Sequence, residues 1–286
     1  MGSQQGDAIT NGKPDTTNLG FTPMVQVEGE WQVEKVLAAI PEYAPTTSSS
    51  SSSSSSSNNN KNNSQSPLAF FHMVERLKTT KREGWRRFGI ERGESIADHM
   101  YRMSIISMFA PPSLAKRLDL HKCIKMCLIH DMAELLVGDI TPVDGIAKPE
   151  KSRRESLTMD FLTKQLLGGS ADNNDGAVGR EIRAIWDEYE DSKTLESHYV
   201  HDIDKMELLL QMMEYEKRAE RALDLGEFSW VATKMTLPET KAWAHELLLE
   251  RKRFWGHEKH VDGVIGVDGG VANDTVKQQE DYYARD

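Results

Sequence analysis

From residue 67 to residue 255 apolar side chains recur three and four residues apart almost without a break, and no stretch alternates apolar with polar as a strand does. A chain with that period buries one stripe of each segment, so it folds as packed helices. Helices are expected over about 67–79, 95–110, 120–137, 149–168, 178–190, 194–222 and 238–255. The punctuation lies between them, in "FAPPS" (109–113), "GDITPVDG" (138–145) and "GGSADNNDG" (168–176). There is no internal repeat. The expectation is one all-α domain, a helical bundle over residues 67–256, of roughly the common domain size.

The flanks differ in kind. Residues 48–57 are ten consecutive serines, and "NNNKNNSQSP" follows them. A tract with nothing apolar to bury does not fold, so residues 1–66 are expected to be a disordered tail. Within that tail "EWQVEKVLAAI" (30–40) carries Trp31, Val36, Leu37 and Ile40 at rough helical spacing. One or two helical turns are marginal alone, so this stretch is read as a transient helix or a docking segment. Residues 257–286 are Gly-rich, acidic and aperiodic, and are expected to be a flexible tail.

A net charge of −10 argues against general binding to a nucleic-acid polymer, whose phosphates select basic faces. It leaves room for a small phosphate ligand in a local basic pocket. No apolar run is long enough to span a bilayer, and "MGSQQGDAIT" has no apolar signal core. A cytoplasmic location is expected, with the nucleus also open. The two cysteines, Cys123 and Cys127, are four apart on one helix face, which suits a reducing compartment rather than a disulfide framework.

The chemistry enters with "CLIHDMAELLVGD" (127–139), an apolar helix pattern with His130, Asp131 and Glu134 in its middle. Buried carboxylates need a partner or a cation. At spacings of three and four these groups share one edge of a helix. An imidazole beside a carboxylate is a natural pair of ligands for a divalent ion, and another carboxylate one turn on can act on water. Taken alone, each is equally a satisfied core residue. Two other helices supply company: "SIADHMYRM" puts His99 on the same side as Met103 and Ile106, behind a capping box from Ser95 and Asp98. "YVHDIDKMELLL" offers Asp202 and Asp204, between which periodicity does not choose. Two imidazoles and two carboxylates suit one borderline-to-hard ion such as Mn, Co, Fe, Zn or Mg. A rival thiolate site from Cys123, Cys127 and His130 lacks a fourth soft ligand, and buried free cysteines are common in cores.

These residues, in this order, resemble the HD-domain metal phosphohydrolases. "ESIADHMYRM", "IHDMAELLVGDITPVDGIAKPEKSRRE" and "DIDKMELLLQMMEYE" are similar to the eukaryotic HD-domain 5′-deoxynucleotidases, and the resemblance covers residues 68 to 255. It implies a helical HD domain holding one divalent metal on His99, His130, Asp131 and Asp204. It implies Glu134 as the catalytic carboxylate, Asp139 beside the attacking water, and Trp85 packed on the nucleotide. The substrate it implies is a deoxyribonucleoside 5′-monophosphate, and its members form homodimers. In one respect the chain departs. Bacterial relatives carry an arginine just before the tryptophan, and here that position is Gly84. Arg86, Arg87, Lys148 and Arg153 are the substrate-binding candidates chosen in its place, with Lys81, Arg82, Lys151 and Arg154 close by. Other activities of the same superfamily (a deoxynucleoside triphosphatase, a cyclic nucleotide phosphodiesterase, an alarmone hydrolase) and a non-catalytic HD binding module are the alternatives.

Overall fold

Residues 20–43, 66–168 and 176–261 are described by the structure, a computed structural model. The serine tract, both ends of the chain and most of the 168–176 loop, with the disorder expected of them, lie outside those residues. The early helices are α1 (Val33–Ala39), α2 (Leu68–Val74), α3 (Arg76–Thr79), α4 (Glu83–Arg86), α5 (Ile96–Ser107) and α6 (Pro112–Ala115). There follow α7 (Leu120–Ile129), α8 (Glu134–Val137), α9 (Lys148–Asp160), α10 (Ala177–Asp191), α11 (Leu195–Arg218) and α12 (Pro238–Trp255). Among the described residues the only β-type pairing is an isolated antiparallel bridge between Lys81 and Ser95. The all-α expectation holds.

Local chemistry sets several starts. Ser95 and Asp98 form the expected reciprocal capping box on α5, with Asp98 N donating to Ser95 Oγ at 3.1 Å and Ser95 N to Asp98 Oδ2 at 2.8 Å. Thr194 and Ser197 cap α11 the same way. The C-terminus of α9 widens into a π-helical turn over Phe161–Leu166. Gly179 is the device that lets α10 close on that turn, since a Cβ there would come within 2.4 Å of the Thr163 carbonyl oxygen.

Three expectations change. The helix read over 67–79 breaks at Glu75 into α2 and α3. The helix read over 120–137 ends at Ile129, and residues 130–133 form a turn before α8. The folded unit also reaches back to residue 20, not 67. Trp31, Val33, Val36 and Ile40 are buried in the same cluster as Met73 and Leu135. A two-turn helix that is marginal alone gains stability here because its apolar face leaves water.

The core has two clusters. The larger gathers α1, α2, α5, α7, α8 and α10 with the first half of α11. The smaller joins Trp85, the second half of α11, a 3₁₀ segment (Gly226–Lys234) and α12. There Glu216 accepts from Arg251 Nε at 2.9 Å, Arg251 Nη2 at 2.8 Å, Trp255 Nε1 at 2.9 Å and Leu225 N at 2.8 Å. That fully bonded buried pair ties α12 to α11.

Candidate metal and phosphoester site

His99 occupies the first turn of α5 and is fully buried. Its Nδ1 meets Glu207 Oε2 at 2.5 Å, and Glu207 Oε1 also accepts from Arg102 Nε at 2.8 Å. His130 caps the end of α7, with Nδ1 donating to the Cys127 carbonyl oxygen at 3.0 Å. Trp186 Nε1 donates to the His130 carbonyl at 3.1 Å and holds that residue from behind. With both Nδ1 atoms so engaged, each ring turns an Nε2 lone pair inward, and neither Nε2 has a hydrogen-bond partner.

What those two lone pairs face is carboxylate oxygen. His99 Nε2 lies 3.2 Å from Asp204 Oδ1 and 3.8 Å from Asp131 Oδ2, and His130 Nε2 lies 3.2 Å from the same Asp131 atom. Ligand atoms of His99, His130 and Asp204 all fall within 4.8 Å of one another. Donors about 2.1 Å from one ion sit at most about 4.2 Å apart, so a small inward shift completes the set. Lone pair facing lone pair is repulsive unless positive charge lies between. Burial and Arg82 oppose protonation of His99, yet Glu207 and Asp204 outweigh them and raise its pKa to about 10. Burial raises Asp131, but His130, Arg82 and His99 hold it well below the usual carboxylate range; His99 does the same for Asp204. The donor set therefore fits a divalent cation.

Asp202, the other aspartate of the pair, has a different task. Its carboxylate accepts from Thr236 N at 2.9 Å, Leu237 N at 2.8 Å and Thr240 Oγ1 at 2.6 Å, and so secures the start of α12. The cysteines are likewise structural, with both side chains buried and burial pushing the Cys123 thiol up to about 12. Among the described residues neither cysteine joins a group placed to hold a metal ion, in keeping with the rejection of the rival thiolate site.

A cavity of about 800 Å³ opens beside the cluster. Glu134, first residue of α8, faces it, with Oε1 3.5 Å from Lys151 Nζ and Oε2 buried without a hydrogen bond. Burial and the charges of Asp131 and Asp139 push its pKa well above the ordinary value, against Lys151 and Arg82. Asp139 lines the same cavity and uses Oδ2 to accept from Glu83 N at 2.6 Å.

The family profile described as HD domain matches residues 74–243, more than half of the chain and every residue of this cluster. The chain belongs to the HD-domain family. Among curated HD-domain relatives, 5′-deoxynucleotidase hdd1 of Schizosaccharomyces pombe is 43% identical over 193 residues, 67% of this chain and 93% of the relative. Human 5′-deoxynucleotidase HDDC2 is 37% identical over 189 residues, 66% of this chain and 87% of the relative. A crystal structure of PH0347 protein from Pyrococcus horikoshii OT3 is 26% identical, with a TM-score of 0.50, over 65% of this chain and 99% of that one.

The remaining expected residues divide. Trp85, Arg87 and Lys148 line the HD-domain cavity, as do Arg82 and Lys151. Trp85 is only 2% exposed, with Nε1 donating to Glu94 Oε1 at 2.7 Å and the ring packed on Tyr215 and Phe228. It forms wall, not a free stacking face. Arg87 is paired with Glu227. Arg86 and Arg153 do not line the cavity. In the single turn of α4 the inward position belongs to Trp85, and Arg86 turns out to Glu83 at 2.7 Å and the Phe21 ring. On α9 the positions three and four apart that face the cavity are Lys148, Lys151 and Glu155, which puts Arg153 on Glu150 at 2.8 Å and on the Trp31 carbonyl at 3.0 Å.

Glu207 was missed outright in the sequence. Its signal is its spacing, three residues after Asp204 on the same face, as the lone acid within "MELLL". Arg82, one of several basic candidates, proves the most central: its Nη1 reaches Asp131 Oδ2 at 3.3 Å.

Proposed function

We propose that this protein is a metal-dependent 5′-deoxynucleotidase, hydrolysing deoxyribonucleoside 5′-monophosphates to deoxyribonucleoside and phosphate. The observation that carries the reading is the pair of unpartnered imidazole Nε2 atoms aimed at Asp131 and Asp204, with buried Glu134 beside them in a cavity lined by basic side chains. The relatives hdd1 and HDDC2, both named 5′-deoxynucleotidases, support the same substrate class.

His99, His130, Asp131 and Asp204 are the ligands in this reading. A divalent cation held there supplies charge neutralisation on a phosphate oxygen and a lowered pKa for water. Arg82, Lys148 and Lys151 hold the other phosphate oxygens and offset the charge that grows in the transition state. Asp139, anchored through Oδ2 to Glu83 N, keeps Oδ1 to orient the attacking water in line with the 5′-oxygen. As the water oxygen bonds to phosphorus, the bond from phosphorus to the 5′-oxygen breaks. Glu134 enters neutral because of its burial, gives its proton to the departing 5′-oxygen and regains one from the water. Trp85 walls the cavity where the sugar lies.

A cytoplasmic homodimer completes the proposal. Its support is the exposed apolar row Tyr101, Ile105, Met108 and Phe109 along and just beyond α5, at helical spacing. No described helix is long and apolar enough to cross a membrane. Sedimentation at micromolar concentration tests the dimer.

The deciding experiment is phosphate release from dAMP, dCMP and dTMP beside AMP, after metal stripping and re-addition of Mn or Co. Release from the deoxy substrates only with metal, reduced on the order of 100-fold or more in Glu134→Gln, is expected. Full turnover by Glu134→Gln would falsify the role given to that residue.

A further inference from the structure

The segment before the serine tract lies outside the residues matched by the family profile, which begins at 74. Its first part runs directly behind the two loops that carry the phosphate-side groups. Thr22 N donates to the Thr79 carbonyl at 3.0 Å, and the Thr22 and Thr79 hydroxyls meet at 2.6 Å. Thr79 stands three residues before Arg82, the cation on Asp131. Met24 fills the space over Gly138, where a Cβ would come within 2.9 Å of the methionine side chain. Gly138 has φ +80° and immediately precedes Asp139. The bond from Glu83 N to Asp139 Oδ2, at 2.6 Å, joins the two loops on their cavity side. The rest of the segment is anchored by Val33, Val36 and Ile40 in the main core and by Arg153 on the Trp31 carbonyl.

We propose that residues 20–43 are a positioning element of the active site, with Thr22 and Met24 setting the placement of Arg82 and Asp139 from behind. The inference rests on the nucleotidase reading for its catalytic readout, but not for its structural one. The segment touches no substrate. It acts through the 79–83 and 138–139 backbone, and leaves the cluster of His99, His130 and Asp204 to α5, the turn after α7, and α11. Displacements of about 1 Å in such groups cost up to about 100-fold in rate.

The test uses the full-length chain carrying Thr22→Val with Met24→Ala, beside Met24→Leu as the volume-conserving control. Kinetics on dAMP, Mn affinity by titration and hydrogen exchange at the Glu83 amide are measured on each. The double variant is expected to lose about 10-fold or more in kcat/KM, chiefly as a fall in kcat, with Mn affinity within about twofold of the parent. Its Glu83 amide exchanges faster, and Met24→Leu, which conserves the volume over Gly138, keeps the parent behaviour in every readout. A double variant with parental kcat/KM and parental Glu83 exchange, whatever its melting temperature, overturns the proposal and leaves the segment as added core. Should the parent release no phosphate, the nucleotidase reading fails by itself. Glu83 exchange then decides this inference alone: faster in the double variant supports it, unchanged overturns it.

Discussion

Asp202 and Asp204 flank one isoleucine on α11 and have opposite uses. Helical rotation turns Asp204 toward His99 and Asp202 toward the start of α12, where it satisfies two backbone donors that no turn of that helix can. Asp202→Asn is expected to lower stability by about 1 kcal/mol or more and to leave Mn affinity near the parent value. Thermal melts and metal titration on the same sample check this. Glu207 predicts the reverse balance. It fixes the tautomer of His99 by taking Nδ1, so Glu207→Gln weakens Mn binding by roughly 10- to 100-fold in a titration. At this scale the identities His99, His130, Asp131 and Glu134 were legible as polar residues inside apolar helical patterns. Asp202 against Asp204 was not legible from periodicity, because both border a buried position; only the family resemblance put Asp204 in the ligand set, and it is Asp204 that lies beside His99.

At the scale of elements, the seven expected helices were mostly legible, since buried stripes repeat at helical spacing. The break after Ile129 was not. The apolar pattern runs on through residues 132–136 and so conceals it. His130 and Asp131 meet at 3.2 Å where α7 gives way to the turn before Glu134, with Trp186 and Cys127 holding the turn. The pairing of α11 with α12 depends on one cation. Arg251→Ala leaves Glu216 buried with its charge uncompensated, and is expected to cost about 3–5 kcal/mol in a denaturant melt. Arg251→Met, which fills the volume but not the charge, is expected to recover little of it.

Over the whole molecule, the ligand cluster is a cross-link. Its members come from α5, the turn after α7, and α11, so a cation that binds only the folded chain adds to global stability. Stripping with a chelator should lower the melting temperature, and Mn at about 100 times its Kd should return about 2.7 kcal/mol. A melting curve unmoved by chelator and by Mn would sink the assignment of these four residues as a metal site. The N-terminal segment belongs to this scale too. Its two-turn helix looks marginal as a sequence, because what stabilises it is apolar surface supplied by α9 and by residues more than thirty positions away.

Periodicity and spacing by themselves determined that the chain is all helical, where its main turns fall, and which motifs carry the chemistry. Those are local properties, set by which side chains share a face within one or two turns. Tertiary structure alone decided that Asp202 secures the start of α12, that Arg82 and Lys151 reach the cavity while Arg86 and Arg153 do not, and that residues 20–43 belong to the fold. Each of those depends on what another part of the chain places opposite a given face, and no local pattern contains that information.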